Sequence, residues 1–279
     1  YTGRSEIITV DGGWYGHTGF SLTMSKDAMK NLFGSGIPDI NEIPFDDIEA
    51  ARKKVTKKTA ALVLEVIQAE NGCRNAEKEY YRSLQEHCRK TGAVLIVDES
   101  QTGFGRTGER FAFESFGIEP DIAVLGEAIA GGMFPMTAFV FTRKLKKFFD
   151  DHPLIHLCTF GGHDVGCRVA MKAIDLYEQK QPWANARRMG SLLLKGLVEL
   201  MRQYSEKITS AQGKGLLLSL ELDSEERARI INRELVNDGV FCVRGRVNKN
   251  SILIRPSLLV SEEDVKKIID VFTKIIERC

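Results

Sequence analysis

Short apolar runs alternate along the chain with segments whose apolar residues recur every three or four positions. "EIITV" (6–10), "AALVLEVI" (60–67), "AVLIVDE" (93–99), "IAVL" (122–125) and "TAFVFT" (137–142) read as strands. "AEKEYYRSLQEHCRKTG" (76–92) has helical spacing, with Tyr81, Leu84 and Cys88 on one face and Gly92 as its stop. Near-continuous apolar strands separated by helices predict an α/β fold, a mostly parallel sheet with helices on both faces. Further helices are predicted over about 167–179 and 183–204. The texture then changes. "GLLLSLEL" (215–222), a helix over 225–238, "VFCVRG" (240–245), "SILIRPS" (251–257) and a last helix opened by "SEED" (261–264) predict a compact α+β unit. The division expected is 1–204, a large ligand-binding domain with a linking helix, and 205–279, a small C-terminal domain.

Composition narrows the function classes. The chain has 279 residues, 43% hydrophobic and 28% charged, with a formal net charge of +1 and its acids and bases interspersed. That balance gives no nucleic-acid footprint and no membrane-surface patch. The longest apolar stretch, 122–141, is broken by Glu127, a glycine pair and Pro135, and is a poor membrane span. Six cysteines without a CxxC pair suit free thiols in a reducing compartment, so a cytoplasmic protein, or an organelle-matrix one after loss of a targeting segment, is expected. The start at Tyr1 suggests a fragment, a processed chain or a cropped one.

In open α/β sheets, ligands sit beyond the carboxyl ends of strands. Glu65, Asp98 and Glu99 lie at such ends, and three glycine-bearing loops follow: "QTGFGRTG" (101–108), "GG" (131–132) and "TFGG" (159–162). This pattern suits a small-ligand site, though loops alone give it in many α/β proteins. Taken alone, Asp98 reads as a turn or cap residue and Trp14 as filler. His152 and His156 have metal-like spacing, but Pro153 between them breaks the helix such a pair needs, so no metal site is expected. His87, on a charged helix, reads as solvated. Glu127 is the oddity, one carboxylate inside "LGEAIAGG" (125–132).

"LVLEVIQAENG" (62–72), "VLIVDESQTGFGRTGERFAFESFGIEPDIAVLG" (94–126) and "TFGG", in this order, resemble class III aminotransferases, pyridoxal-phosphate (PLP) enzymes of fold type I. "LGEAIAGGMFPMTA" (125–138) resembles the "LGKALSGGLYPVSA" of the ornithine aminotransferase branch, and the likeness covers nearly the whole chain. The resemblance implies transfer of an amino group between an amino donor and an oxo acid or aldehyde. It implies cofactor contacts at Asp98 (pyridine nitrogen), Gln101 (ring hydroxyl), Trp14 with its neighbour Tyr15 (ring stacking) and Ser100 (the opposite ring face). Thr159 matches a threonine reaching the phosphate of a neighbouring subunit, which implies a homodimer. Arg106 matches a structural arginine.

Several positions depart from the family. Glu127 stands in the seat of the Schiff-base lysine, which bonds PLP covalently and then carries a proton to and from the substrate. Glutamate has no amine for the first task, but a carboxylate can serve the second. Lys144, Lys146 and Lys147 lie on a predicted surface helix and are poor substitutes. His17 and Leu253 stand where substrate-handling arginines are common, and Glu70 matches a glutamate that gates one of them. Arg255, two positions after Leu253, lies on the same face if the strand continues. His163 and Asp164 replace the usual asparagine and proline. Roughly the first third of the family pattern, with its phosphate-holding glycine–serine loop, has no counterpart, so PLP or pyridoxamine phosphate (PMP) is expected to bind weakly unless a complementary chain supplies that part. Three readings stay open: an impaired aminotransferase, a non-catalytic partner or scaffold, and a PMP-dependent enzyme with Glu127 as base.

Overall fold

The structure is a computed structural model, and it describes residues 1–24 and 39–279. Two sheets organise it. The first has six strands in the order β2-β1-β3-β4-β5-β6. These are β1 (Glu6–Val10), β2 (Ile40–Ile43), β3 (Thr59–Leu64), β4 (Val94–Asp98), β5 (Ile122–Leu125) and β6 (Ala138–Phe141). All neighbours pair in parallel except β5 and β6, which are antiparallel. β3 and β4 at its centre are apolar on both faces. Helices α1 (Ile48–Lys54) and α2 (Lys78–Thr91) cover one face, and Tyr81, Leu84 and Cys88 of α2 are buried there as the spacing predicts. His87 departs from expectation: its Nε2 lies 2.8 Å from the carbonyl of Val55, so the ring ties α2 to the end of α1 instead of facing water.

Three helices follow the glycine loops: α3 (Ala112–Phe116), α4 (Arg143–Asp151) and α5 (Asp164–Lys180). α5 starts three residues earlier than its apolar pattern does, because His163 caps it, Nδ1 accepting the Gly166 N–H at 3.4 Å. The long helix α6 (Pro182–Gln203) comes next.

The second sheet is antiparallel, in the order β7-β8-β10-β9, from β7 (Ile208–Lys214), β8 (Leu217–Leu222), β9 (Val243–Arg244) and β10 (Ser251–Ile254). Helices α7 (Glu225–Asn237) and α8 (Glu262–Arg278) pack on it. Its core joins Leu218, Leu220 and Ile252 of the strands to Ile231, Phe272 and Ile276 of the helices. Met189, Leu193 and Leu197 of α6 belong to this same core. By packing, the linking helix α6 lends its apolar stripe to the small domain's core, while Leu217 of β8 and Leu253 of β10 pack into the core of the large sheet.

The "SEED" start of α8 is a capping box. Ser261 Oγ accepts the Asp264 N–H at 3.1 Å, and the Asp264 carboxylate accepts the Ser261 N–H at 3.3 Å. Ser261→Ala is expected to cost about 1 kcal/mol in a urea titration. An unchanged midpoint would mean that α8 is held by packing alone.

Candidate functional site

β3 and β4 deliver three carboxylates to one end of the parallel sheet. Asp98, the last residue of β4, accepts the Ser100 N–H on Oδ1 at 2.8 Å, and burial pushes its pKa up. Among the described residues no cation pairs with it. Glu65, just past β3, is buried and accepts the backbone N–H of Trp14 at 3.0 Å. Burial pushes its pKa well up; the Trp14 N–H opposes this, and the charges of Asp98 and Glu70 add to it. Glu65 thus fixes the loop after β1 that carries Trp14. Tyr15 points its hydroxyl at the Val63 carbonyl, 3.2 Å away, and burial holds that phenol well above its usual range. Glu99 is fully buried and structural. It takes the Thr102 hydroxyl at 2.5 Å and the N–H groups of Ala112 and Phe113 at 3.0 and 2.9 Å, and so ties β4 to the start of α3.

Glu127 lies where β5 gives way to loop. A Cβ on Gly126 would stand 2.6 Å from the Ser100 carbonyl oxygen, so only glycine lets the loops after β4 and β5 touch. Glu127 then opens a short 3-10 turn, Glu127–Ala130, closed by Gly131 at φ 63°. The turn resolves the oddity of the sequence: Ile129 and Ala130 are buried, whereas Glu127 itself is exposed. It lines a cleft of about 350 Å³ with Ser100, Gln101, Arg106, Tyr177 and Arg255. Among the described residues no lysine lines that cleft. Lys144 instead pairs with Asp121 at the opposite end of β5, and Lys146 with Asp150 at 2.6 Å.

A second group gathers around Glu70, which is buried. Its Oε1 takes the Gln101 side-chain N–H at 3.2 Å and its Oε2 the backbone N–H of Arg246 at 3.0 Å. Its carbonyl takes the N–H groups of Val247 and Asn248, both at 3.1 Å. Arg255 comes within 3.9 Å of the same carboxylate and donates to Gln101 Oε1 at 2.5 Å. Arg255 does not continue the strand, as the sequence reading assumed. β10 ends at Ile254, Pro256 follows, Leu253 is buried in the core, and Arg255 turns out toward Gln101. His17 lies against Trp14, ring centroids 4.2 Å apart and nearly perpendicular.

Two arginines enter the site beyond what the motifs pointed to. Arg246 lies over the Trp14 ring, 5.2 Å from its centroid. Arg106 lines the cleft while its Nη1 donates to the carbonyls of Leu216 and Pro256 at 3.2 and 2.6 Å. "RGR" (244–246) in a glycine turn was the available signal for Arg246; nothing local marks Arg106 as facing the cleft. Thr159 is distant from all of this in its contacts, lying in a fully exposed segment with Leu157 and Phe160. His152 ends α4 with Nδ1 2.9 Å from the Phe148 carbonyl, and among the described residues no group of ligands is placed to hold a metal.

The family model described as "Aminotransferase class-III" matches residues 1–276. An uncharacterized aminotransferase of Archaeoglobus fulgidus is 32% identical over 265 residues, 95% of this chain and 62% of that protein. Ornithine aminotransferase 1 of Staphylococcus saprophyticus is 34% identical over 275 residues, 98% of this chain and 68% of that protein. Among solved structures, the ornithine aminotransferase of Toxoplasma gondii ME49 superposes with a TM-score of 0.92 at 26% identity, covering 99% of this chain and 65% of that one. The chain therefore spans roughly two-thirds of the length of these relatives.

Proposed function

We propose a function from one premise: this chain belongs to the class III aminotransferase family and has the fold type I architecture. We infer that it keeps a site for a pyridoxal-type cofactor held without a covalent bond, and that it does not turn over amino groups unaided. The observation that carries this is the pairing of a retained Asp98 with a cleft at Glu127 that no lysine lines among the described residues.

The residues fit such a cofactor in part. Asp98 is a largely buried carboxylate with one N–H donor and no cation, the setting a protonated pyridine nitrogen would complete. Trp14 offers an aromatic plane held in place by Glu65, and Gln101 an amide fixed at both ends. Ser100 stands at the loop contact next to Glu127. The fit fails at the covalent bond, for among the described residues no amine lines the cleft. When bound, the cofactor supplies an electron sink. The chain's own part would then be to bind and orient: the Asp98 carboxylate would accept a ring N–H, and Trp14 and Ser100 would hold the ring in place. Glu127 can hold an ammonium or take a proton at its carboxylate oxygen. This last point favours one further reading, a PMP-dependent enzyme with Glu127 as base, because an amine cofactor would pair with Glu127 where an aldehyde would need a lysine.

Thr159 bears on assembly. It shares an exposed stretch with Leu154, Ile155, Leu157 and Phe160, more apolar surface than a monomer usually leaves in one place. A homodimer covering that stretch would bring Thr159 of one subunit to the site of the other; a complementary chain is the alternative occupant.

The test is direct. The protein is mixed with PLP, reduced with borohydride and weighed. No covalent adduct is expected, whereas Glu127→Lys should gain one cofactor mass at position 127 and recover measurable transamination. A stable adduct on a lysine beside Asp98 in the unsubstituted protein would sink the reading, whereas scattered labelling of surface lysines would not. PMP binding that disappears in Asp98→Ala would favour the Glu127-base reading.

A further inference from the structure

A separate pocket, of about 460 Å³, opens between the large and small domains and shares no lining residue with the cleft at Glu127. Its volume suits a small ligand, since such sites run from roughly 300 to 1,000 Å³. The large domain supplies Lys78, the first residue of α2, with Thr107 of the glycine loop. Helix α6 supplies Arg187, and the end of β7 supplies Lys214. These pieces meet closely. A Cβ on Gly215 would stand 2.4 Å from the Thr107 carbonyl carbon, so the turn after Lys214 touches the glycine loop. Lys214 Nζ lies 5.5 Å from the centroid of the Phe116 ring, and that ring lies 4.6 Å from Tyr81. Tyr81 is three residues after Lys78 on the same helix, so the two are neighbours on one face.

The charges lining the pocket do not cancel. Three bases face two carboxylates. Arg187 is committed: its Nη2 donates to Glu109 Oε1 at 2.7 Å and to the Gly108 carbonyl at 2.8 Å. Glu114 turns back on its own helix, Oε2 accepting the Phe111 N–H at 3.3 Å. Lys78 and Lys214 are left over, with no carboxylate within salt-bridge distance of either among the described residues. Lys214 is half-buried, and the ring beneath it attracts a cation without cancelling its charge. Thr107 adds an independent sign. It is 2% exposed, it lines the pocket, and its Oγ1 has no hydrogen-bond partner. Buried hydroxyls are nearly always paired.

We propose that this pocket binds a phosphate group, free or carried by a small molecule, between Lys78 and Lys214, with Thr107 donating a hydrogen bond to it. One staggered step about the Thr107 Cα–Cβ bond would aim the hydroxyl at an oxygen seated there. Ammonium groups act as point charges and suit a compact anion with several oxygens. The guanidinium fork of Arg187, which would suit a planar carboxylate, is already occupied. The proposal stands apart from the aminotransferase reading and needs no cofactor. A phosphate held there would brace the large domain against the small one. Arg106, next to Thr107 in the chain, lines the cleft at Glu127, so the brace would act on a loop that both cavities share.

Inorganic phosphate and glycerol 3-phosphate are titrated calorimetrically into the protein as purified, without added cofactor and at constant ionic strength. Saturable binding of at least one is expected below about 10 mM. The tighter of the two tells whether the site takes the free ion or a phosphate monoester, and either order supports the proposal. Lys78→Gln and Lys214→Gln should each weaken binding about ten-fold. Arg255→Ala, in the other cleft, should leave it unchanged. Thr107→Val keeps the shape of the side chain and removes the hydroxyl, and so separates a ligand contact from a structural one. Without phosphate its melting temperature should equal or exceed that of the parent, because a buried unpaired hydroxyl is gone. With phosphate the rise in melting temperature should be smaller than the parent's. Four results would each overturn the proposal: no saturable binding of either probe, binding indifferent to both lysine substitutions, binding lost in Arg255→Ala, or a Thr107→Val protein that either melts below the parent without phosphate or responds to phosphate as the parent does.

Discussion

Gly190→Ala should lower the stability of the protein by about 3 kcal/mol, the upper end of what overpacking a dense contact costs. Gly190 sits in α6 where the helix crosses the turn between β7 and β8. A Cβ there would stand 1.9 Å from the Gly215 carbonyl oxygen and 2.2 Å from its carbon, all main chain, so no side chain can swing aside. Gly215 cannot retreat either: its own φ is 56°, and a Cβ on it would lie 2.4 Å from the Thr107 carbonyl carbon. Three backbones meet with nothing between them, and one added methyl must part the helix from the sheet. The better helix propensity of alanine returns about 1 kcal/mol at most. A urea midpoint within about 0.5 kcal/mol of the parent would mean that the contact yields more easily than its geometry implies.

Raising the pH from 5 to 8 should destabilise the protein, with Glu99 contributing up to about 3 kcal/mol of the loss. Burial lifts the Glu99 carboxyl from 4.5 to about 7, against the pull of Thr102 and the two N–H groups. The folded state therefore holds a proton that the unfolded chain has already released between those two values. Stability conferred by the protonated form is complete below about 4.5, falls through the interval and is gone above about 7. The rise from 4.5 to about 7 corresponds to about 3 kcal/mol. Burial raises Glu65 and Asp98 as well, so a proton either keeps on folding acts in the same direction. Urea titrations at several pH values check this, and Glu99→Gln should flatten the curve by its share. A parent curve that is level or rises over this range would contradict the assignment.

The large parallel sheet was legible because its central strands are buried on both faces and must be apolar throughout. β2 and β7 were not, and both are edge strands. "INEI" and "ITSAQGK" alternate weakly because one side of each lacks a neighbour and few of their side chains are buried. Helix α2 was readable from its apolar stripe, but α6 needed its partner to be known before its domain could be assigned. In the candidate site, the strand-end carboxylates and the glycine loops were visible in the sequence. The exposure of Glu127 was not, because a four-residue turn reverses what the surrounding apolar residues imply. Arg106 escaped for a different reason: it meets Pro256, 150 positions along the chain, and no local pattern encodes such a contact.

Gln101 bears on how fast the cleft can exchange its contents. Its amide is committed at both ends, the N–H to Glu70 and the oxygen to Arg255. An anion entering beside Arg255 would displace a neutral amide oxygen and would not have to break a close ion pair. The vacated amide oxygen remains near at hand to reclaim the guanidinium when the anion leaves. Both directions then cross a low barrier, so association should run near the ordinary encounter rate for a small charged solute, and residence should be brief. Ligand identity would be read through occupancy at prevailing concentration more than through dwell time.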